Sequence, residues 1–469
     1  MDMRLPSITR RQFVIGGTVA ASAYWLPQAS FGATSTRPRI VVFTLRGGLD
    51  GLHSVPPYAE PSYAPSRGGI AIPPPGTSGG AFKLDGLFGL HPAMPNLYAM
   101  YQAKQALIIH ACAPPYHERS HFTAQDILEN GTAVRTTTDG WMGRALKTRD
   151  GRTVPDTIEA LAVGTYMTPL MLEGAPSAAG WQSKIVGISS NLAGAVKATY
   201  ANDAQLAASY AYMPELDQLA IAAPQTLISW TDYANAGAAL LSSSIGPDVL
   251  VFDLNGWDTH TYQGGSTGML AGTLGKLDVM FGALKTGLGA AWSNTVMIAL
   301  TEFGRTVQVN GTGGTDHGVG TAAYVLGGAV NGGRVVADWP GLDMAYRLDG
   351  RDLRPTTDTR SILKGVLRDH WHFSEAMLAE VFPDSATVPA LNSLVLSSGT
   401  ATQSSTLAPT SPTNDTTQLS AGMLTSYASN MVALAPAPST TVQTSTASLQ
   451  QAMPTRTDLT AYATALRGY

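Results

Sequence analysis

The sequence predicts an α/β fold with a mainly parallel central sheet flanked by helices, and three observations carry this prediction. Short runs of apolar and β-branched residues alternate along the chain with segments of helical periodicity. These runs are apolar at nearly every position, as is typical of strands that are buried on both faces. A strand, a helix and a second strand also follow one another in the βαβ order that produces parallel pairing.

Five apolar runs predict the strands of this sheet, and they span residues 39–45, 106–111, 249–254, 295–300 and 322–328. A helix is predicted between the third run and the fourth. Its apolar residues recur at helical spacing and form one face, which consists of Leu270, Leu274, Leu277, Phe281, Leu284 and Leu288.

Residues 1–33 predict an export signal. Arg10 and Arg11 are followed by a short apolar stretch and then by small residues up to Ala33, a pattern that resembles the twin-arginine (Tat) signal of bacteria. A membrane anchor is the alternative, but the apolar run is short and rich in Gly and Ala. We therefore expect the Tat translocase as a partner during export, a final location in the periplasm or outside the cell, and no permanent membrane anchor.

Residues 398–469 predict a flexible tail, because this stretch is rich in Ser, Thr, Ala and Pro and poor in aromatic and charged residues. Residues 34–397 are then the folded domain. The formal net charge is -4 without a long basic run, which argues against nucleic acid as a partner. The single cysteine, Cys112, excludes an intramolecular disulfide and a cysteine-bound iron–sulfur cluster, and its apolar surroundings in the sequence favour a buried side chain.

Ionisable residues follow three of the predicted strands. Asp50 follows the first strand, Asp258 and His260 follow the third, and Glu302 follows the fourth. Ligands of open α/β sheets bind outside the carboxyl ends of the strands, so these side chains should converge. Asp258 and His260 are two positions apart and point to the same side of an extended chain. The pair suits a divalent metal such as zinc, or a general base oriented by the carboxylate.

Several of these residues also have a simpler interpretation. Asp50 stands among glycines and could shape a turn, while Asp258 could cap a helix. Glu302 and Arg305 could form an ordinary salt bridge. A carboxylate directly after an apolar strand nevertheless favours a metal ligand or a structural clamp for the site.

Two loops add further candidates. Asp316 and His317 lie among glycines that let the backbone wrap around a ligand, or else they belong to a solvated loop. Ser120 precedes a predicted short helix that ends at Gly131. It is therefore an N-cap or, because a helix N-terminus binds anions, a candidate nucleophile. The residues crowded around it are His117, Glu118, Arg119 and His121.

The chain resembles the DUF1501 family of exported bacterial proteins. The segments that carry the resemblance occur in order over about residues 40–396, and they are RGGLDGLHSVPPY, RSHFTAQD, GWDTH, TEFGRT and GTDHG. DUF1501 is in turn distantly similar to the alkaline phosphatase and sulfatase superfamily. The resemblance therefore implies an alkaline phosphatase-like fold with a divalent metal site.

The same resemblance implies roles for individual residues. Asp50 takes the place of the first-strand ligand and Ser120 that of the nucleophile. Asp258 with His260 matches the Asp/His pair of the superfamily, and His317, with Asp316 beside it, matches its final histidine. Glu302 stands where the superfamily has an Asp-His pair, which removes one imidazole from the second metal position.

These roles imply an exported, metal-dependent hydrolase of small phosphate or sulfate esters. Ser120 would attack phosphorus or sulfur, and Arg305, or else Arg119, would bind the anionic group. The expected metal ligands are Asp50, Asp258, His260, Glu302, Asp316 and His317. Zinc, calcium and manganese are all candidates, and the many carboxylates favour calcium or manganese. The main alternative is a non-catalytic exported protein that keeps the fold for binding or assembly, and an oxidoreductase is a weaker one.

Overall fold

A nine-stranded sheet forms the centre of the described structure, and most of its strand pairs are parallel. The order along the sheet is β10-β4-β9-β8-β1-β7-β5-β6, and β11 pairs with β4 as a side branch. The strands are β1 Arg39–Arg46, β2 Phe82–Lys83, β3 Gly89–Leu90, β4 Ala106–Ala113, β5 Ala160–Val163, β6 Ala178–Trp181, β7 Val249–Asn255, β8 Thr295–Leu300, β9 Thr321–Leu326, β10 Val335–Val336 and β11 Thr357–Asp358. The short strands β2 and β3 form a separate antiparallel pair.

The structure, a computed structural model, describes residues 37–135, 137–150, 158–165, 168–181, 190–201 and 227–396. The predicted export signal and the predicted tail lie outside these described residues. The chain divides into two units, Met1–Thr402 and Gln403–Tyr469, and every described residue belongs to the first.

Helices cover both faces of the sheet. They are α1 Gly51–Ser54, α2 Tyr63–Arg67, α3 Pro95–Gln102, α4 His121–Asn130, α5 Trp141–Asp150, α6 Ser190–Tyr200, α7 Trp230–Ser242, α8 Met269–Leu288, α9 Thr359–Trp371 and α10 Glu375–Val381. None of the helices within the described ranges is long and apolar enough to cross a bilayer.

Alternate residues of β1 point into two different cores. Val41 and Phe43 belong to one apolar cluster, and Ile40 and Val42 belong to the other. This explains why the strand is apolar at consecutive positions, since each face of the sheet is covered. The six apolar residues of the predicted α8 face are all buried in the first cluster, so that helix and its orientation are confirmed.

The prediction of a mainly parallel sheet is confirmed, with one local exception. β1 pairs in parallel with β7 and β8, whereas β9 runs antiparallel to both β8 and β4. The chain therefore passes from β8 to β9 without crossing the sheet. The connection, residues 301–320, lies at the carboxyl end of β8 and carries many of the ionisable residues that drew attention in the sequence.

Cys112 is a buried free cysteine in β4, in agreement with the expectation from the sequence. Burial raises the pKa of its thiol to about 12, so the side chain stays protonated and behaves as a small apolar group.

Candidate metal centre

Three chain segments meet at the carboxyl end of the sheet. The segment after β7 brings Asp258 and His260, the connection after β8 brings His317, and the first residue of α4 is His121. The isolated bridge between Thr261 and Gly313 joins the segment after β7 to the connection after β8, and a second bridge, between Arg305 and His317, lies within that connection. The predicted convergence of distant segments at one edge of the sheet is therefore present in the structure. The set His121, Asp258, His260 and His317 is called the candidate centre below.

The side chains of the candidate centre meet at very short distances. The Nε2 atom of His317 lies 3.0 Å from Nε2 of His121 and 3.0 Å from Nε2 of His260. Asp258 Oδ1 lies 3.2 Å from His317 Nε2 and 3.0 Å from His260 Nε2, and its Oδ2 atom is 3.5 Å from His121 Nε2. One ligand atom each from His121, Asp258 and His317 falls within 4.8 Å of the others. All four side chains are partly exposed.

The opposite nitrogen of each imidazole is engaged with an oxygen that can only accept. Nδ1 of His121 lies 2.9 Å from Glu302 Oε1, and Nδ1 of His260 lies 3.1 Å from Asp316 Oδ1. Nδ1 of His317 lies 3.1 Å from the backbone oxygen of Arg119. Carboxylate and carbonyl oxygens accept hydrogen bonds, so each Nδ1 must carry the proton. A neutral ring then presents a lone pair at Nε2, whereas a doubly protonated His260 or His317 would donate from Nε2 to Asp258 Oδ1.

Bare lone pairs of three imidazoles that face one another need positive charge between them. An additional proton on one ring would satisfy one of these contacts, whereas a divalent cation would satisfy several at once. Two nitrogens on the same tetrahedral zinc stand roughly 3.3 Å apart, as follows from zinc–nitrogen bonds of about 2.0–2.1 Å. The observed Nε2 separations of 3.0 Å are close to that value. The residues present therefore fit a bound metal ion.

Glu302 orients His121 and does not point into the candidate centre. Its buried carboxylate accepts from His121, from the backbone N–H of Gly47 at 2.7 Å, from Gln125 at 2.9 Å and from Thr301 at 2.9 Å. Burial opposes ionisation, but these hydrogen bonds prevail and lower the pKa of Glu302. Of the two roles that the sequence left open, ligand or clamp, the structure shows the clamp. A carboxylate that holds Nδ1 of a histidine is the usual partner of a metal-bound imidazole.

The pKa values of two facing imidazoles shift in opposite directions. The hydrogen bond to Glu302 raises the pKa of His121. Burial, together with the charge of Arg305, lowers the pKa of His317. His121 therefore attracts positive charge while His317 stays a neutral acceptor, which suits a shared cation.

Asp316 has the same relation to His260 that Glu302 has to His121. Its Oδ1 atom accepts from Asn310 at 3.0 Å and from His260 at 3.1 Å. The hydrogen bond from Asn310 is the largest of the effects that lower the pKa of Asp316. Sequence analysis expected a metal ligand at Asp316, whereas in the structure its carboxylate accepts from His260 and Asn310.

Arg305 was expected to bind an anionic substrate, and the structure gives it a different environment. Its side chain is fully buried and donates to Asp258 Oδ1 at 2.6 Å, to the backbone oxygen of Gly47 at 3.3 Å, and to both the hydroxyl and the backbone oxygen of Thr315. No guanidinium nitrogen is left to point at solvent. Although burial opposes ionisation of Asp258, the hydrogen bond from Arg305 lowers its pKa and keeps it anionic.

Asp50 was expected among the metal ligands and instead lies in a buried ion pair. Arg67 donates to both of its carboxylate oxygens, at 2.8 and 2.6 Å, and Gln263 donates to Oδ2 at 2.8 Å. Asp50 also caps α1 by accepting from the N–H of His53. Burial opposes ionisation, but Arg67 outweighs it and lowers the pKa of Asp50. The turn-forming role that the sequence offered as the simpler interpretation is the one observed.

Ser120 is the N-cap of α4, and Gly131 ends the helix in the left-handed conformation with φ 76°, as the sequence predicted. The Ser120 side chain makes no capping hydrogen bond and is partly exposed. Ser120 directly precedes His121, a member of the candidate centre, in the sequence. The structure leaves its role as nucleophile a prediction.

Two glycines after β1 allow the segments to approach this closely. A Cβ atom on Gly47 would lie 2.5 Å from the backbone nitrogen of Asp258, and one on Gly48 would lie 2.7 Å from the ring of Phe303. Phe303 in turn packs under the candidate centre, 4.7 Å from the ring of His121 and 5.0 Å from that of His317. The RGG motif therefore serves close backbone approach.

His121 is the functional residue that sequence analysis left without a role. Its position as first residue of a helix was visible, because Ser120 and Gly131 mark both ends of α4. The sequence does not show that this helix start faces the end of β8. That orientation depends on tertiary contacts, such as the bond from Gln125 to Glu302 and the placement of the Arg119 carbonyl.

Comparison with known proteins gives one family and several remote structures. The model of DUF1501, described as "Protein of unknown function (DUF1501)", matches residues 115–373. A search of curated proteins finds no match.

The C-terminal periplasmic domain of EcEptC from Escherichia coli is one similar structure. Its identity is 10%, it covers 64% of this chain and 74% of that chain, and its TM-score is 0.34; its complex with Zn gives the same values. A phosphonate monoester hydrolase of Agrobacterium radiobacter has 12% identity, covers 72% and 74%, and has a TM-score of 0.33. Murine ectonucleotide pyrophosphatase/phosphodiesterase 5 has 10% identity, covers 57% of each chain, and has a TM-score of 0.28. The chemistry of the site is therefore argued from the residues of this chain.

Proposed function

The chain belongs to the DUF1501 family of proteins of unknown function, and from this premise we propose that it is an exported, metal-dependent hydrolase of phosphate or sulfate esters. The observation that carries the proposal is the convergence of three imidazole Nε2 atoms beside the Asp258 carboxylate. This arrangement includes the first residue of α4, His121. The residue before it, Ser120, has a hydroxyl that makes no capping hydrogen bond to the helix.

We assign the metal to the zinc class, which differs from the expectation drawn from the sequence. Calcium and manganese were favoured because six candidate ligands included four carboxylates. Three of those carboxylates, on Asp50, Glu302 and Asp316, are turned to other partners. The remaining set of His121, His260, His317 and Asp258 is rich in imidazole, which suits zinc and related transition metals better than calcium.

The residues of the chain would divide the reaction between them. A bound metal would supply Lewis acidity to an ester oxygen or to a hydroxyl beside it. The N-terminus of α4 favours the negative charge of the ester group. Ser120 Oγ would form the new bond to phosphorus or sulfur while the bond to the leaving alcohol breaks, with the serine proton passing to that alcohol. Water then cleaves the serine ester, which releases phosphate or sulfate and restores the hydroxyl.

A non-catalytic metal-binding protein is the second candidate, and a specific observation favours it. Both arginines that were expected to bind an anionic substrate have other partners. Arg305 is buried on Asp258, and Arg119 pairs with Asp352 at 2.6 Å and Asp349 at 2.9 Å. An esterase of this kind usually holds the anionic group with a guanidinium.

Export by the Tat pathway is part of the proposal and rests on Arg10 and Arg11 in the sequence. Cell fractionation of the wild type and of a variant with both arginines changed to lysine tests it. We expect the wild type outside the cytoplasm and the variant retained inside.

Turnover separates the two candidates. The zinc-loaded protein is assayed with an aryl phosphate, an aryl phosphodiester and an aryl sulfate, beside the Ser120→Ala and His121→Ala variants. The hydrolase predicts turnover of at least one ester that both variants lose. Tight zinc binding without turnover of any ester would contradict the hydrolase and support the non-catalytic metal-binding protein.

A further inference from the structure

A chain of buried hydrogen bonds connects the Asp50–Arg67 ion pair to the candidate centre. It runs from Asp50 through Gln263 and Thr315 to Arg305, and Arg305 holds Asp258. The first four of these side chains are at most 1% exposed. Asp50 and Asp258 follow different strands, so the chain of bonds links two segments that the sequence does not show to be in contact.

Gln263 is the branch point of this chain. Its side-chain N–H donates to Asp50 Oδ2 at 2.8 Å. Its side-chain oxygen accepts from the hydroxyl of Thr315 at 2.8 Å and from that of Thr259 at 2.9 Å. The amide oxygen has two lone pairs, and both are used. The orientation of the amide is therefore fixed, because a flipped group would place its oxygen against Asp50 Oδ2, which can only accept.

The direction of every donor in the chain is also fixed. Arg305 Nε donates to Thr315 Oγ1 at 3.3 Å, the Thr315 hydroxyl donates to Gln263, and Gln263 donates to Asp50. Donors thus all point from the guanidinium cation to the carboxylate anion. Buried hydrogen bonds that point the same way polarise and strengthen one another.

The last hydrogen bond of this series, from Arg305, holds Asp258 of the candidate centre in place. Arg305 has a long side chain with several rotatable bonds, and its Nη1 atom must stay within 2.6 Å of Asp258 Oδ1. The bond from Nε to Thr315 and the bond from Nη2 to the Thr315 backbone hold the plane of the guanidinium. Loss of the support behind Thr315 would let that plane rotate and would release the Asp258 carboxylate.

We propose that Gln263 is a positioning residue of the metal centre, which acts by linking the Asp50–Arg67 ion pair to Arg305 and thereby fixing the Asp258 carboxylate. This inference rests on the metal centre of the proposed function and not on the hydrolytic step. It also gives Asp50 a connection to the site, although Asp50 is not a ligand.

The test measures zinc affinity by competition with a chelating dye. Gln263→Leu keeps the approximate size of the side chain and removes both polar groups. Zinc affinity is expected to fall by up to about 10-fold, the lower end of the effect of losing a residue that bonds a metal ligand directly, because Gln263 acts on Asp258 through Thr315 and Arg305. The matched control is Gln105→Leu, which removes a bond to Lys285 at 2.8 Å before the amino end of β4. We expect the control to keep wild-type affinity.

A second pair of variants covers the case in which Gln263→Leu fails to fold. Thr315→Val keeps the shape of the side chain and removes the hydroxyl that joins Gln263 to Arg305. Thr315→Ser retains that hydroxyl. The proposal expects weaker zinc binding in the valine variant and near wild-type binding in the serine variant. Equal affinity of folded Thr315→Val and wild type would overturn it.

A readout without metal separates this inference from the proposed function. In the metal-free protein, the Nε–H proton of Arg305 should give a protected nitrogen–proton NMR signal, because it is buried and bonded to Thr315. Gln263→Leu and Thr315→Val should speed its exchange with solvent, and Gln105→Leu should not. Unchanged protection in both variants would refute the positioning role, whether or not the protein proves to be a hydrolase.

Discussion

Two groups of histidine and carboxylate lie beyond the carboxyl end of the sheet, and they differ in where their ring nitrogens point. In the candidate centre, three partly exposed imidazoles turn their Nε2 atoms toward one another and toward Asp258. The other group, called the buried cluster, consists of His53, His91, Asp50 and Arg67. Nε2 of both of its histidines lies 3.2 Å from one backbone oxygen, that of Gly265.

The buried cluster shows what histidine and aspartate do when they are structural. Nδ1 of His91 accepts from the N–H of Ala93 at 3.0 Å, so Nε2 carries the proton and donates to Gly265. Burial lowers the pKa of His53 to about 3 and that of His91 to about 4, so both rings stay neutral. Asp50 is neutralised by Arg67. The two groups thus teach that residue type and proximity do not distinguish a metal site from a structural cluster, whereas the partners of the ring nitrogens separate the two groups.

The sharpest test of this difference replaces one histidine from each group by alanine. His121→Ala removes a proposed ligand, so zinc affinity should fall by 100-fold or more, beyond the roughly 10- to 100-fold effect of losing a residue that bonds a ligand. His91→Ala should leave zinc affinity unchanged and lower the free energy of unfolding. Zinc titration and urea unfolding of both variants provide the measurements. Equal loss of zinc binding in the two variants would remove the distinction between the groups.

The ion pair of the buried cluster should dominate its contribution to stability. Asp50→Ala leaves the buried guanidinium of Arg67 without a partner, which should lower the free energy of unfolding by about 3–5 kcal/mol. The exposed pair of Arg135 and Asp126 offers the control, because both side chains are more than two-fifths exposed. Asp126→Ala should cost at most about 1 kcal/mol. Urea unfolding of the metal-free proteins measures both.

Acid should destabilise the fold through its buried histidines. Burial lowers the pKa of His110 and of His370 to about 4 in the folded state, whereas the unfolded value is near 6.5. The unfolded chain therefore binds protons first as pH falls. The contribution of the two neutral histidines to the free energy of unfolding is fully present above pH 6.5 and is lost progressively down to about pH 4. Each of these histidines should lower the free energy of unfolding by roughly 2 kcal/mol at pH 5 relative to pH 7.

Urea unfolding of metal-free protein at pH 7 and pH 5 checks this dependence. His370→Gln should reduce the difference between the two pH values, because it removes one group that titrates only on unfolding. His372→Asn serves as the control, since His372 is exposed at the end of α9 and asparagine tolerates its left-handed conformation. A pH dependence that His370→Gln leaves untouched would contradict the explanation.

The last comparison concerns the close approach beneath the candidate centre. Gly47→Ala forces a Cβ atom to within 2.5 Å of Asp258 N at a residue with φ 121°. The backbone conformation alone should lower the free energy of unfolding by about 1–3 kcal/mol, and the clash with the backbone adds to that loss. Gly86→Ala should be nearly neutral, because no atom lies within 4 Å of its added Cβ. Thermal unfolding compares them, and similar melting temperatures would argue against the close approach.

The sequence sufficed for the fold because the sheet is covered on both faces. Consecutive apolar positions in β1, β7 and β8 mark such strands directly, and the α8 face follows from helical spacing. The antiparallel course of β9 was not predicted. Nothing local in residues 321–326 tells whether the chain crosses the sheet before that strand.

The candidate site was predicted in part, for a related reason. Strand ends placed Asp258, His260 and Glu302 at one edge, and that convergence is observed. The sequence could not show which carboxylates coordinate and which orient a ring, because that depends on the hydrogen-bond partners of Asp316 and Glu302. Nor could it show that His121 completes the group, since the start of α4 is placed by tertiary packing.

Metal content tests the central claim most directly. The protein is purified without chelator, its zinc content is determined by elemental analysis, and an Asp258→Ala/His317→Ala variant is treated in parallel. The account predicts bound zinc in the wild type, its loss from the variant, and a lower melting temperature of the wild type after dialysis against chelator. A folded wild type that holds no metal after incubation with zinc, and whose melting temperature does not respond to chelator, would contradict it.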